Sequence, residues 1–276
     1  MRGARLLRAA ALSLALAVVS SGCSSEAPEK SDPSTSPSAV VSSVPPPPAA
    51  PKVGDCHRLT FEEATAPVES RPQVRCSSPH TAVTIKVGRI DALADGHLLA
   101  VDSATVRAQI ARACPPALEG FVGGDENTRR LSRFEVVWYS PSLEQAEAGA
   151  DWYRCDVVAL RSEGELMTLP ARMRGVLDRP GALDRFGTCG TSAPDRPSFE
   201  RVACSERHNW RAVDTIDLPP GTRFQAQDAG AAADRECQDI AAARAGDSLR
   251  YTWSFEWPSR AAWDEGQRYG YCWVPN

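Results

Sequence analysis

Lysine is nearly missing from this chain. Of 31 basic residues only Lys30, Lys52 and Lys86 are lysine, and 35 acidic residues leave a formal net charge of −4. That balance offers no basic field for nucleic acid or for anionic phospholipid heads, and it argues against both as electrostatic partners. Apart from the N-terminal segment, no apolar run approaches the roughly 18–20 residues that a membrane-spanning helix needs. Gly-x-Ser-x-Gly, Ser-x-x-Lys and His-Glu-x-x-His, each of which places a nucleophile or a metal beside its base, are all absent. Gly123-Gly124 has no downstream Lys-Thr that would make it a phosphate loop. The acid pairs Glu62-Glu63 and Asp125-Glu126 stand in polar stretches and read as solvated faces rather than glycosidase dyads. No catalytic residue, cofactor or metal-ligand set is therefore expected.

What the chain does have is nine cysteines, divided one, four and four. Residues 1–22 carry Arg2, Arg5 and Arg8, no acid, and an apolar run over residues 9–19 that ends in Ser20-Ser21-Gly22-Cys23. A positive start, a short apolar stretch and small residues before a break make a signal peptide. Cysteine directly after the small residues resembles a bacterial lipobox, in which the thiol is diacylated, with palmitate-type chains, and becomes the first residue of the mature chain. Ser20 stands where such boxes usually have Leu. The expectation is a lipoprotein modified at Cys23 and held on the extracytoplasmic face of the cell membrane, the alternative being a secreted protein with an unpaired Cys23. Loss of residues 1–22 removes three positive charges and no negative ones, which takes the net charge from −4 to −7. Residues 24–52 contain eight prolines and eight serines and almost nothing to bury, so residues 23–52 read as a disordered or polyproline-like tether. Its reach is roughly 30 Å as a coil and about 90 Å fully extended.

The remaining eight cysteines fall into two series, Cys56, Cys76, Cys114, Cys155 and Cys189, Cys204, Cys237, Cys272. Val53-Gly54-Asp55-Cys56 matches Phe186-Gly187-Thr188-Cys189, and Cys76-Ser77-Ser78-Pro79-His80 matches Cys204-Ser205-Glu206-Arg207-His208. A constant offset then pairs Phe134 with Tyr251, Trp138 with Phe255, Pro141 with Pro258, Gly149 with Gly266 and Trp152 with Tyr269. The chain thus reads as two copies of one domain, residues 53–176 and 186–276, joined by a connection over residues 177–185 with a turn at Arg179-Pro180-Gly181. Eight cysteines in an exported chain imply four disulfides. Each copy allows three pairings; first with second and third with fourth is preferred. The shorter loops, 56–76 and 189–204, are each worth roughly 3 kcal/mol in the chain-entropy model.

Period-two alternation over residues 134–139 and 251–257 predicts strands with one buried aromatic face, and residues 81–87 and 153–160 read as strands too. Ser103 is a candidate N-cap before Val106, Ile110 and Cys114 at helical spacing, and Pro115-Pro116 should end or kink that helix. The alanine-rich residues 228–245 are its counterpart. The fold class is α+β, two tandem small disulfide-stapled domains, each an antiparallel sheet with a packed helix.

Gly-Asp-Cys at the start, Cys-Ser-x-Pro-His about twenty residues on, a third cysteine in a helix and a Pro-x7-Gly-x5-Cys ending resemble the septum-formation-related domain of actinobacterial envelope proteins. The second copy departs at Thr188 for Asp55 and Arg207 for Pro79. The resemblance implies a role in envelope or septum biology and carries no catalytic residues.

His80 and His208 hold the same place in both copies, and structural hydrogen bonding is preferred for them over ligand or partner contact, with catalysis last. His57 and His97 have no counterparts and are expected at the surface. Trp253 and Trp257 share a strand face and read as core, whereas Trp263, in a turn-like stretch, is a candidate exposed ring for a wall glycan or protein partner. The leading functional reading is a non-enzymatic envelope lipoprotein that presents two interaction domains in septum formation or cell division. Its partners would be the membrane, through lipid, and envelope or division proteins. A lipoprotein binding a wall glycan or small ligand is second, and a cell-wall hydrolase third.

Overall fold

Strand alternation and cap residues set the architecture of each half. The computed structural model describes residues 48–68, 71–94, 96–246 and 250–276. The signal segment, Cys23 and all but the last five tether residues lie outside them. In the first half the elements run β1 (Cys56–His57), α1 (Phe61–Thr65), β2 (Ala82–Arg89), a hairpin of β3 (Leu93–Ala94) and β4 (His97–Leu98), α2 (Ala104–Ala113), α3 (Pro115–Val122), α4 (Glu126–Arg130), β5 (Phe134–Tyr139), α5 (Leu143–Glu147), β6 (Trp152–Ser162) and β7 (Glu165–Leu166). In the second half they run α6 (Ala182–Phe186), β8 (Thr188–Gly190), β9 (Arg201–Ala203), β10 (Trp210–Asp217), α7 (Gln227–Arg244), β11 (Ser254–Glu256), α8 (Arg260–Asp264) and β12 (Tyr269–Pro275).

Ser103 caps α2 by accepting from the Val106 N–H at 3.3 Å. Proline cannot donate, so α2 stops at Cys114 and a new helix, α3, starts with Pro115 in its first turn. Along α7 the buried residues are Ala229, Ala233, Cys237 and Ala241, a four-residue spacing that lays one small-residue face on the sheet.

Both main sheets are antiparallel and share one strand order. The first runs β1-β2-β6-β5, and Val74 bridges to Cys56 at its β1 edge. The second runs β9-β8-β10-β12-β11. A bulge between Thr84 and Lys86 in the first recurs between Ala212 and Asp214 in the second, opposite Cys155 and Cys272 respectively. Within each half the first cysteine is bonded to the second and the third to the fourth: Cys56–Cys76, Cys114–Cys155, Cys189–Cys204 and Cys237–Cys272. The latter bridge of each half ties a helix to the central strand.

Period two divides β6 between two faces. Tyr153, Cys155, Val157 and Ala159 join the main core under α2 and α3, and Phe186 and Ala203 of the second half complete that core. Trp152 and Val158 face the other way, toward Leu59, Ala64 and Tyr139. Residues 177–185 do not run free either, for Leu177 and Leu183 pack into the same main core.

Three expectations are corrected. Strand pairing over residues 251–257 is confined to Ser254–Glu256, since Trp253 turns aside and its indole N–H donates to Asp234 on α7 at 3.2 Å. Trp138 is 37% exposed on β5, which is an edge strand of its sheet. His57 is buried, 3% exposed, where β1 pairs with β2 opposite Ala82.

Candidate functional site

The outward face of β6 buries charge. Trp152, Arg154 and Asp156 occupy alternate positions on it, and Asp156 and its cross-strand neighbour Thr84 are both wholly buried. Arg154 Nη2 lies 3.0 Å from Asp156 Oδ2, and the guanidinium stacks 4.6 Å from the centre of the Tyr139 ring. The Tyr139 hydroxyl in turn donates to the Ala64 carbonyl of α1 at 3.1 Å. A low-dielectric setting makes each of these contacts strong and the loss of any partner costly.

Above this layer opens a cleft of about 440 Å³, whose lining includes His57, Trp152, Arg154, Asp55, Arg71 and Gln73. Asp55 is held on two sides. The backbone N–H of Lys52 donates to it at 2.8 Å, and the Gln73 amide, turned to donate, reaches its two oxygens at 3.1 and 3.2 Å. Arg71 on the rim pairs with Glu63 at 2.5 Å, and Glu63 also closes the capping box of α1 with Thr60. The Trp152 indole N–H is buried and meets no acceptor among the described residues.

The corresponding face of the second half has different chemistry. Register places Ala212 and Trp273 where Thr84 and Asp156 stand, Tyr271 where Arg154 stands and Gly190 where His57 stands. Phe199 meets Trp273 edge to face at 5.2 Å, and a Cβ on Gly190 would lie 2.6 Å from the Phe199 ring. This face is spent on joining the halves. Leu131 packs with Tyr271 and Trp273, and the Tyr271 hydroxyl donates to the Arg130 carbonyl at 3.1 Å. Arg130 lies over the Tyr269 ring at 4.2 Å, and Asn127 accepts from the Thr215 N–H and hydroxyl at 3.1 and 2.8 Å. Desolvation raises the Tyr271 pKa well above its ordinary value.

Two further concavities flank these faces. One, about 480 Å³, lies along the junction between Arg129, Arg130, Glu119 and Tyr269. Glu135 also lines it, open to solvent yet desolvated enough by the walls that its pKa is raised, against the lowering pull of Arg133. The other, about 420 Å³, is apolar and lies between the β3–β4 hairpin and α5, with Leu98 and Leu143 exposed on its rim.

The family described as Septum formation matches residues 53–272, well over half of the chain. The chain belongs to the septum formation family. The family match runs unbroken through both halves and so takes in the polar cleft, the junction and all eight disulfide cysteines. No curated protein and no solved structure matches the chain.

The residues expected to matter are scattered rather than gathered. His80 is 1% exposed and its Nδ1 lies 2.9 Å from the Ser78 carbonyl, in keeping with the preferred structural role, and burial closes it to the alternative of partner contact. His208 repeats the contact, 2.7 Å from the Glu206 carbonyl, and remains half-buried. The expectation for Trp263 is corrected. It sits in α8 capped by Ser259, 9% exposed, against Phe224 and beneath Arg268 at 4.1 Å. Among the described residues no group of three or more His, Cys, Asp and Glu side chains is placed to hold a metal ion, and no helix is long and apolar enough to cross a membrane. Sequence reading missed Arg154, Asp156 and His57 as a group. The available signal was charge at alternate positions of a strand, Arg154 and Asp156, whose counterparts in the second half are Tyr271 and Trp273.

Proposed function

We propose that this member of the septum formation family is an exported, lipid-anchored, non-enzymatic envelope protein that acts by binding. Its two halves are read as copies of one septum-formation-related domain that have taken different roles. The observation that carries this reading is their asymmetry: one face joins the halves in the second copy, and in the first it carries a solvent-open polar cleft over buried charge. Buried ion pairs add little stability over well-packed apolar side chains, and the second half fills the same positions with aromatics. Departures of this kind from the cheapest packing are expected at functional sites. Cys23 supplies the anchor and residues 24–52 the tether that holds the cleft away from the membrane.

The test is a fluorescent fusion of the full chain in dividing cells, beside a variant with Lys52→Glu and Arg71→Glu. Both side chains are exposed, so charge reversal should leave the fold intact. The parent should gather at division sites and the variant should stay on the membrane but spread evenly. Equal septal recruitment of the two, or turnover of peptidoglycan by the purified parent, would overturn the reading. Cys23→Ala should release the protein from the membrane fraction.

A further inference from the structure

We infer that the cleft of the first half binds a small ligand through an oxyanion, a carboxylate or phosphate group, an assignment that rests on the binding role proposed above. The argument is one of matching donors to acceptors. Arg71 and Arg154 are donor-only side chains, and so is Lys52, an exposed residue of the lining. The Trp152 indole N–H is also donor-only. Trp152 is 9% exposed, lines the cleft and finds no acceptor among the described residues for that N–H. Gln145, a further lining residue, uses its carbonyl to accept the Ser142 N–H at 3.0 Å, which leaves its NH2 hydrogens as donors. Asp55 is the one carboxylate among the described residues of the lining, and the Lys52 N–H and the Gln73 amide already engage it.

A wall so rich in N–H groups and cations fits a ligand group that only accepts. Neutral hydroxyls, which must also donate, find few acceptors there. The volume, about 440 Å³, lies within the range of small-molecule sites. The cation beneath is fixed in advance, because Asp156 and the Tyr139 ring hold the Arg154 guanidinium in one orientation. The second half shows the alternative: with Tyr271 and Trp273 in place of Arg154 and Asp156, the same framework packs shut.

Calorimetric titration of the mature chain tests this with three probes, N-acetylmuramic acid, inorganic phosphate and N-acetylglucosamine. The first differs from the third by a lactyl ether on the 3-oxygen, which carries the carboxylate. The first or the second should bind and shift the tryptophan fluorescence, the stronger of the two identifying the source of the oxyanion, and the neutral sugar should not bind. Trp152→Phe keeps an aromatic ring, though a smaller one, and removes the N–H, and should weaken binding about tenfold. Should that variant fold poorly, Lys52→Gln, at an exposed position, should still weaken binding severalfold and flatten its salt dependence. Equal binding of the neutral sugar, or unchanged affinity in the variants, overturns the oxyanion assignment and leaves the binding role standing. Silence from all three probes also overturns it. The binding role falls as well only if the charge-reversed protein still reaches the septum.

Discussion

At Asp156 a carboxylate lies wholly out of water, with the Arg154 guanidinium at 3.0 Å. Removing one partner leaves the other charge buried, so Asp156→Ala should lower unfolding free energy by about 3–5 kcal/mol in urea titrations. Replacing both, Arg154→Leu with Asp156→Leu, should cost much less, because no lone charge remains. A different rule governs Gly190. Its hydrogen faces the Phe199 ring, and Gly190→Ala would set a methyl 2.6 Å from that ring. Overpacking of this sort costs about 1–3 kcal/mol, read as a lower denaturant midpoint at unchanged slope. The equivalent first-half residue is His57, so an alanine there probes lost polar packing rather than a clash.

Short helices here rely on their caps. Asp125 accepts from the Thr128 N–H at 2.6 Å to start α4, the helix that carries Arg130 and precedes Leu131 at the junction. Hydrogen bonding to Thr128 lowers the Asp125 pKa below its ordinary 3.8. A lowered folded-state value means that the stabilisation is complete above the unfolded pKa and is lost as pH falls through the folded one. Asp125→Asn keeps an acceptor but does not titrate there, so the parent should lose more thermal midpoint than the variant between about pH 5 and pH 3. Element positions were legible because local rules decide them: Ser103 caps α2, Pro115 restarts the chain as α3, and alternation marks β5. Less legible was what lies over each face. Trp263 occurs in a polar stretch and is nonetheless buried, since Phe224, distant in sequence, and Trp257, shortly before it, close over it. His57 disappears beneath its neighbours for the same reason, and the cleft, built from residues 49–154, has no local pattern at all.

Taken whole, the described residues from 48 onward behave as one unit. Phe186 and Ala203 complete the first half's core, and the Arg133 N–H donates to the Phe186 carbonyl at 2.7 Å while the Thr188 N–H donates to the Leu131 carbonyl at 2.7 Å. Calorimetry of the mature chain should therefore give a single unfolding transition with equal van't Hoff and calorimetric enthalpies. Residues 186–276 expressed alone should expose Tyr271 and Trp273 and melt lower or not fold; two separate transitions in the full chain would contradict a shared core.

The disulfide Cys56–Cys76 also acts as a mechanical stop. If the chain is moored at Cys23, drag on the folded part enters along residues 49–52 and meets the sheet at β1. Two-residue strands loaded from one end unzip bond by bond, but here the first strand residue is tied to Cys76, 20 positions on, and the loop between them carries no tension. Extension then draws first on the segment ahead of Cys56, which includes the Lys52 contact to Asp55. That segment forms one wall of the cleft, so force on the mooring would be felt there as a change of shape before it threatened the sheet.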